Sequence, residues 1–166
     1  MSLVVSDASP IRALTHLGLL PLLRELYGEV AIPAAVFREL TRRGRYFEPL
    51  TGEQLALFLV RDPTTSLSTT VEFDELDAGE RDAIRLAIEI SVDGLLIDES
   101  LGRRVARRLG VRITGTLGVL SQAKHRGSIP AVGPLMERLQ TEINFFIAPA
   151  LKRTILTDLG EWPSLK

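Results

Sequence analysis

The chain contains no cysteine among its 166 residues. That absence excludes a disulfide framework, a thiolate metal site and a cysteine nucleophile, and it fits a reducing compartment, so a cytoplasmic location is the expectation. No apolar run approaches the roughly 20 residues that a membrane helix needs, and the start, Met1-Ser2-Leu3, lacks the charged region of a signal peptide; a soluble protein is expected. An excess of charge of one sign is also missing. With a formal net charge of −1 the chain offers no global attraction to nucleic acid, and any such attraction must come from a local basic patch. No Gly-x-Gly-x-x-Gly follows a strand, and neither Gly-Lys-Ser/Thr nor Gly-x-Ser-x-Gly occurs, which removes the usual signatures of dinucleotide enzymes, P-loop enzymes and α/β-hydrolases.

What is present is enough apolar surface, 45% of residues, to bury the core of one domain spanning 1–166 without staples. Short apolar runs alternate with amphipathic stretches, a pattern that predicts an α/β fold with a mainly parallel sheet covered on both faces. Strands are expected at 3–6, 29–32, 94–97 and 111–114. Ser9 and Pro10 read as the N-cap and first residue of a helix reaching Leu17, and further helices are expected at 19–27, 34–42, 52–59, 78–90, 101–109 and 116–126. Residues 45–75 form a variable region. Six of the seven residues 64–70 are Ser or Thr, too polar to bury, so that stretch reads as a surface loop. Residues 130–166 predict two C-terminal helices separated by Asn144 to Pro149, whose Phe145, Phe146 and Trp162 serve either a core or an interface.

Two acids stand where the chain leaves a buried strand: Asp7 after Leu3-Val4-Val5, and Asp98 after Leu95-Leu96-Ile97. In open α/β sheets ligands bind beyond the carboxyl ends of the strands, so these two side chains are placed to share one site. Each has an ordinary structural competitor. Capping by Ser9 leaves Asp7 free, whereas Asp98 competes with Ser100 for the cap of the next helix, and Glu99 is its nearest rival. Glu80 falls in a capping-box spacing, Asp77-Ala78-Gly79-Glu80, and Glu39 has Arg43 at i+4 as a surface partner. Crowded carboxylates raise at least one pKa steeply unless a cation neutralises them. With no cysteine and only His16 and His125, in separate segments, Mg²⁺ or Mn²⁺ suits these ligands better than zinc, and it would assist phosphoryl transfer to water. Arg103, Arg104, Arg107 and Arg108 share a face of the helix after Asp98, which attracts a phosphate backbone or is simply a solvated face; Arg42, Arg43 and Arg45 read the same way.

The stretches Val4-Val5-Ser6-Asp7-Ala8-Ser9-Pro10-Ile11, Ile32-Pro33-Ala34-Ala35-Val36-Phe37-Arg38-Glu39-Leu40 and Leu76-Asp77-Ala78-Gly79-Glu80-Arg81-Asp82-Ala83-Ile84 resemble the PIN domain, in its branch of short prokaryotic nucleic-acid-binding proteins. Leu95-Leu96-Ile97-Asp98-Glu99 and Gly115-Thr116-Leu117-Gly118-Val119-Leu120 continue the likeness in order. The resemblance covers residues 3 to about 127, more loosely the tail, and none of 45–75. It implies a three-layer α/β/α fold whose acids bind Mg²⁺ or Mn²⁺ and cleave RNA, related to the VapC-type toxins that pair with an antitoxin protein, and often a homodimer. By position it implies metal-holding and catalytic roles for Asp7, Glu39, Glu80 and Asp98, with Ser9 and Thr116 supporting and Arg103, Arg104 and Arg107 toward RNA. The third acid is usually aspartate in VapC-type proteins, which leaves Asp82 as an alternative to Glu80; the two lie about 200° apart around a helix, so only one faces inward. A non-catalytic nucleic-acid-binding or protein-interaction module is the alternative reading.

Overall fold

Five short apolar segments pair in register as one parallel sheet, in the order β3-β2-β1-β4-β5. The strands are β1 (Leu3–Ser6), β2 (Glu29–Ile32), β3 (Phe58–Val60), β4 (Gly94–Leu96) and β5 (Ile113–Thr114), as seen in a computed structural model that describes residues 2–65 and 71–163. Successive residues Val4 and Val5, and Leu95 and Leu96, are all buried although they point to opposite faces, so both faces of the sheet are covered. This is the expected three-layer α/β/α arrangement, with every strand pair parallel.

The connections set the site. Helices α1 (Ala8–His16) and α2 (Leu22–Tyr27) join β1 to β2, and α3 (Ala34–Leu40) with α4 (Gly52–Leu55) joins β2 to β3. The chain then crosses back through α5 (Val71–Asp74) and α6 (Ala78–Glu89) to β4, and α7 (Ser100–Arg108) leads to β5. The strand order therefore reverses between β1 and β4, and such a switch point is where open α/β sheets form a ligand crevice beyond the carboxyl ends of the strands. On one face Val5, Leu95 and Ile97 of the sheet pack with Phe73, Leu76, Ala83, Ile84, Leu86, Ala87, Val105 and Ala106 of α5, α6 and α7 and the turn before α6. α6 lies against β1 and β4 and touches both α3 and α7.

Two expectations change in the variable region. The helix predicted over 52–59 is a single turn, held by the Thr51–Gln54 capping box, and Phe58–Val60 is instead the edge strand β3. Leu57-Phe58-Leu59-Val60 is too short an apolar run to distinguish helix from strand by periodicity. The one-turn helix α5 was also not foreseen. Of the hydroxyl-rich stretch, Thr64 and Thr65 are exposed and bind the Glu89 carboxylate, while 66–70 lie outside the described residues.

The chain divides into two compact units, Met1–Thr116 and Leu117–Lys166. In the second, α9 (Gly133–Glu142) and α10 (Pro149–Asp158) are joined by Lys152, which donates to Gln140 at 2.8 Å and pairs with Glu137. Glu161 replaces a side-chain cap at the start of α9: its carboxylate accepts from the Val132 and Gly133 amides at 2.9 and 2.8 Å and from Lys124 Nζ at 2.8 Å. These donors hold its carboxyl below the usual range despite desolvation. Phe146 is 85% exposed, Phe145 is half-buried, and the exposed Trp162 ring lies 5.5 Å from the Arg153 guanidinium. Among the described residues no helix is long and apolar enough to cross a membrane.

Candidate active site

The Asp7 amide donates to Leu96 O at 2.9 Å, continuing the β1–β4 ladder by one bond and fixing Asp7 at the mouth of the crevice. The sequence suggests that Ser9 caps the following helix. In the structure α1 begins at Ala8, with Asp7 itself in the N-cap position at φ −77° and ψ 170° but making no side-chain cap bond. Pro10 sits inside the first turn, where its missing N–H would have had no intrahelical partner. Ser9 is thereby released, and its hydroxyl donates to Asp98 Oδ2 at 3.0 Å, tying the ends of β1 and β4 together.

Asp98 does not compete for the cap of α7 either; Glu99, exposed, takes that position without a side-chain bond. Instead Asp98 Oδ1 accepts from the Thr116 amide and Oδ2 from the Thr116 hydroxyl, both at 2.7 Å. A carboxylate has about four lone-pair sites, and three are occupied by these donors and Ser9, so Asp98 is fixed in place with one left to offer. Gly115 makes room for it: a Cβ there would stand 3.0 Å from Asp98 Oδ1 and 2.8 Å from Arg103 Nη1.

Glu80 resolves differently from its spacing. Asp77 Oδ1 accepts from the Glu80 amide at 2.8 Å and so caps α6, but the Glu80 side chain does not complete the box. It is 7% exposed and its Oε2 lies over α7, 2.7 Å from where a Cβ on Gly102 would stand. A glycine inside a helix costs about 1 kcal/mol relative to alanine, and here the missing methyl is what admits the carboxylate. Asp82 turns to Arg85 at 3.1 Å instead.

Glu39 is half-buried on α3. Its expected surface partner Arg43 pairs with Glu48 at 2.6 Å instead. Arg12 of α1 reaches under the end of α3, donating to the Glu39 and Arg42 carbonyls and lying 5.2 Å from the Phe47 ring centre.

These acids feel one another. Burial, opposed by a bond from the Ala8 amide and reinforced by the charges of Asp77, Glu39 and Asp98, pushes the Asp7 carboxyl up to about 7. Burial, a hydrogen bond that its protonated carboxyl donates to Asp77, and the charges of Asp77, Asp7 and Glu99 push Glu80 up to about 8. Glu39 is raised by burial and Asp77 against the pull of Arg12 and Arg42. Asp77 thus acts on all three, whereas its spacing in the sequence points only to a cap. Capping was the available signal because one oxygen does cap; nothing in the spacing announces the second role.

An all-oxygen donor set whose members oppose each other's ionisation suits a hard divalent cation. Among the described residues no three acids or histidines stand grouped closely enough to enclose a metal ion. Mg²⁺ is commonly held by only one or two carboxylates and keeps several waters, so the donor chemistry fits while a closed protein cage is not preformed.

The arginine face of α7 divides in two. Arg104 and Arg108 pair with Glu72 of α5. Arg103 is half-buried, donates to Ile97 O at 2.9 Å, and is lowered by burial and by neighbouring Arg107, while Asp98 opposes that shift. Arg107 is exposed, with no partner among the described residues.

No curated protein is a significant match to the chain. A family model described as DUF3368: PIN domain matches residues 3–161, which takes in all five strands, the crevice and every acid named above. The PIN domain is a nuclease-type fold. The chain belongs to the PIN domain family.

Proposed function

We propose that the protein is a Mg²⁺- or Mn²⁺-dependent endoribonuclease that hydrolyses RNA phosphodiester bonds, and that it serves in the cytoplasm as the toxin of a toxin–antitoxin pair. The observation that carries the catalytic reading is the convergence of Asp7, Glu39 and Glu80, raised by burial and by shared acidic neighbours, beside a fixed Asp98. Asp7, Glu39, Glu80 and Asp98 are the residues that would hold the cation. When bound, it would supply Lewis-acid polarisation of the phosphoryl group and activation of water.

The chain's own residues do the rest. Ser9 and Thr116 hold Asp98 in one orientation, and Gly102 and Gly115 leave room for the Glu80 and Asp98 carboxylates. Burial of Asp7 and Glu80 excludes water that would otherwise weaken their electrostatic action. Arg103 and Arg107 supply positive charge beside the crevice for the phosphate, whereas Arg104 is already engaged with Glu72. A homodimer belongs to the proposal, supported by the exposed apolar surface of Phe146 and Leu151.

The test is incubation of wild-type and Asp7→Asn protein with single-stranded and structured RNAs, with Mn²⁺ or with a chelator. Defined fragments that require both Mn²⁺ and Asp7 are expected. The second reading is a non-catalytic nucleic-acid-binding or protein-interaction module. Intact RNA under all conditions with retained binding would establish that reading instead.

A further inference from the structure

A cavity of about 400 Å³ opens beside the acids, between α3 and the first turn of α6. Four arginines line it, Arg12, Arg38, Arg42 and Arg43, together with Glu39 and Asp77 of the acidic cluster. They are not equivalent. Arg12 is spent on the Glu39 and Arg42 carbonyls, and Arg43 on Glu48. Among the described residues the Arg42 side chain bonds only through its Nε, to Arg38 O at 3.3 Å. The Arg38 side chain is exposed and has no partner among the described residues. The opposite wall, Ala78 and Gly79, is the positive end of a helix of 12 residues. Uncommitted guanidinium groups facing a helix N-terminus make an anion site.

We propose that this groove takes a backbone phosphate of the substrate strand, one neighbouring the bond to be cut, with Arg38 as its main contact and Arg42 as a second. The proposal rests on the nuclease reading and deepens it. Because α6 lies between α3 and α7, the strand would cross the first turn of α6, with the Arg38 groove on one side and Arg103 and Arg107 on the other. Contacts of this kind read the backbone, not the bases, so Arg38 would govern affinity without base preference.

The experiment measures binding of a short fluorescent single-stranded RNA of mixed sequence, with Mn²⁺, across a salt series. It uses full-length Asp7→Asn protein, to prevent cutting, alone and combined with Arg38→Gln, Arg38→Lys or Arg42→Gln. Each lost phosphate contact on a single strand lowers the slope of log affinity against log salt by about 0.7. Arg38→Gln is expected to lower the slope by that amount and to weaken binding several-fold at low salt, with the melting temperature unchanged and the slope restored by Arg38→Lys. The same loss with single-stranded DNA is expected, since the contact is to phosphate. An unchanged slope and affinity in Arg38→Gln, while the parent binds RNA, would overturn the groove and leave the nuclease reading standing. Failure of every protein to bind RNA would overturn both.

Discussion

Glu161 and Asp7 are both carboxylates drawn out of water, and they are treated in opposite ways. Glu161 is met by two backbone amides and a lysine, and its carboxyl falls below the usual range. Asp7 meets one amide, feels the charges of Asp77, Glu39 and Asp98, and is raised by burial to about 7. The first arrangement has its charge fully answered by the protein and fastens a tail to a helix start. The second leaves negative charge unanswered at the mouth of a crevice, which folding alone has no reason to do. Carboxylates kept at a cost in stability mark a candidate functional site.

The comparison can be broken most severely at Asp7. Asp7→Asn should reduce Mn²⁺-dependent RNA cleavage by about a hundredfold or more, the scale on which loss of one preorganised electrostatic group is felt. In the absence of metal it should raise stability by about 1–3 kcal/mol near pH 8, since a buried group that resists ionisation is made neutral. Glu161→Ala should do the reverse, leaving cleavage intact while costing about 2–3 kcal/mol in thermal unfolding, because two amides and Lys124 lose a charged acceptor.

The pH dependence should separate the two settings by sign. The folded pKa values of Asp7 and Glu80 are raised, so their stabilising contribution is full below the unfolded values near 4 and is lost as pH rises through about 7 and about 8. Glu161 is lowered, so its contribution is present above its unfolded value and is lost as pH falls through the folded one. Metal-free protein should therefore melt at higher temperature near pH 6 than near pH 8, and Mn²⁺ should abolish that difference.

A smaller perturbation sharpens the geometry. Gly102→Ala raises helix propensity by up to about 1 kcal/mol but places a methyl against both Ile97 Cδ1 and Glu80 Oε2, so cleavage should fall about tenfold while the folded protein gains no stability in thermal unfolding. The smallest effect is expected at Asp82, whose pair with Arg85 is partly exposed: Asp82→Asn should change stability by less than about 0.5 kcal/mol and leave cleavage unaltered.

The frame of the molecule was legible because strand ends and helix starts carry local signals. Val4-Val5 and Leu95-Leu96 announce strands buried on both faces, and the acids that follow them were placed at the crevice by the chain's own order. What was not legible depended on contacts between distant segments. Ser9 looks like a cap because Pro10 follows it, whereas its partner is Asp98, 89 positions on. Asp77 has a real local duty that hid its place among the acids, and Gly102 means nothing until Glu80 is seen lying over it. β3 is not legible because four apolar residues fit helix and strand alike. Arg38 differs from Arg43 only in that Glu48 answers one and not the other.

The central claim is that the acids of the crevice await a cation. Calorimetric titration of the metal-free protein with Mn²⁺ near pH 7, repeated in buffers of different ionisation enthalpy, tests it directly. Saturable binding that releases about one proton per ion, as the raised carboxyls give up theirs, and that is lost in Asp7→Asn, is the predicted result. A folded wild-type protein that takes up no Mn²⁺, or binds it equally well without Asp7, would contradict it.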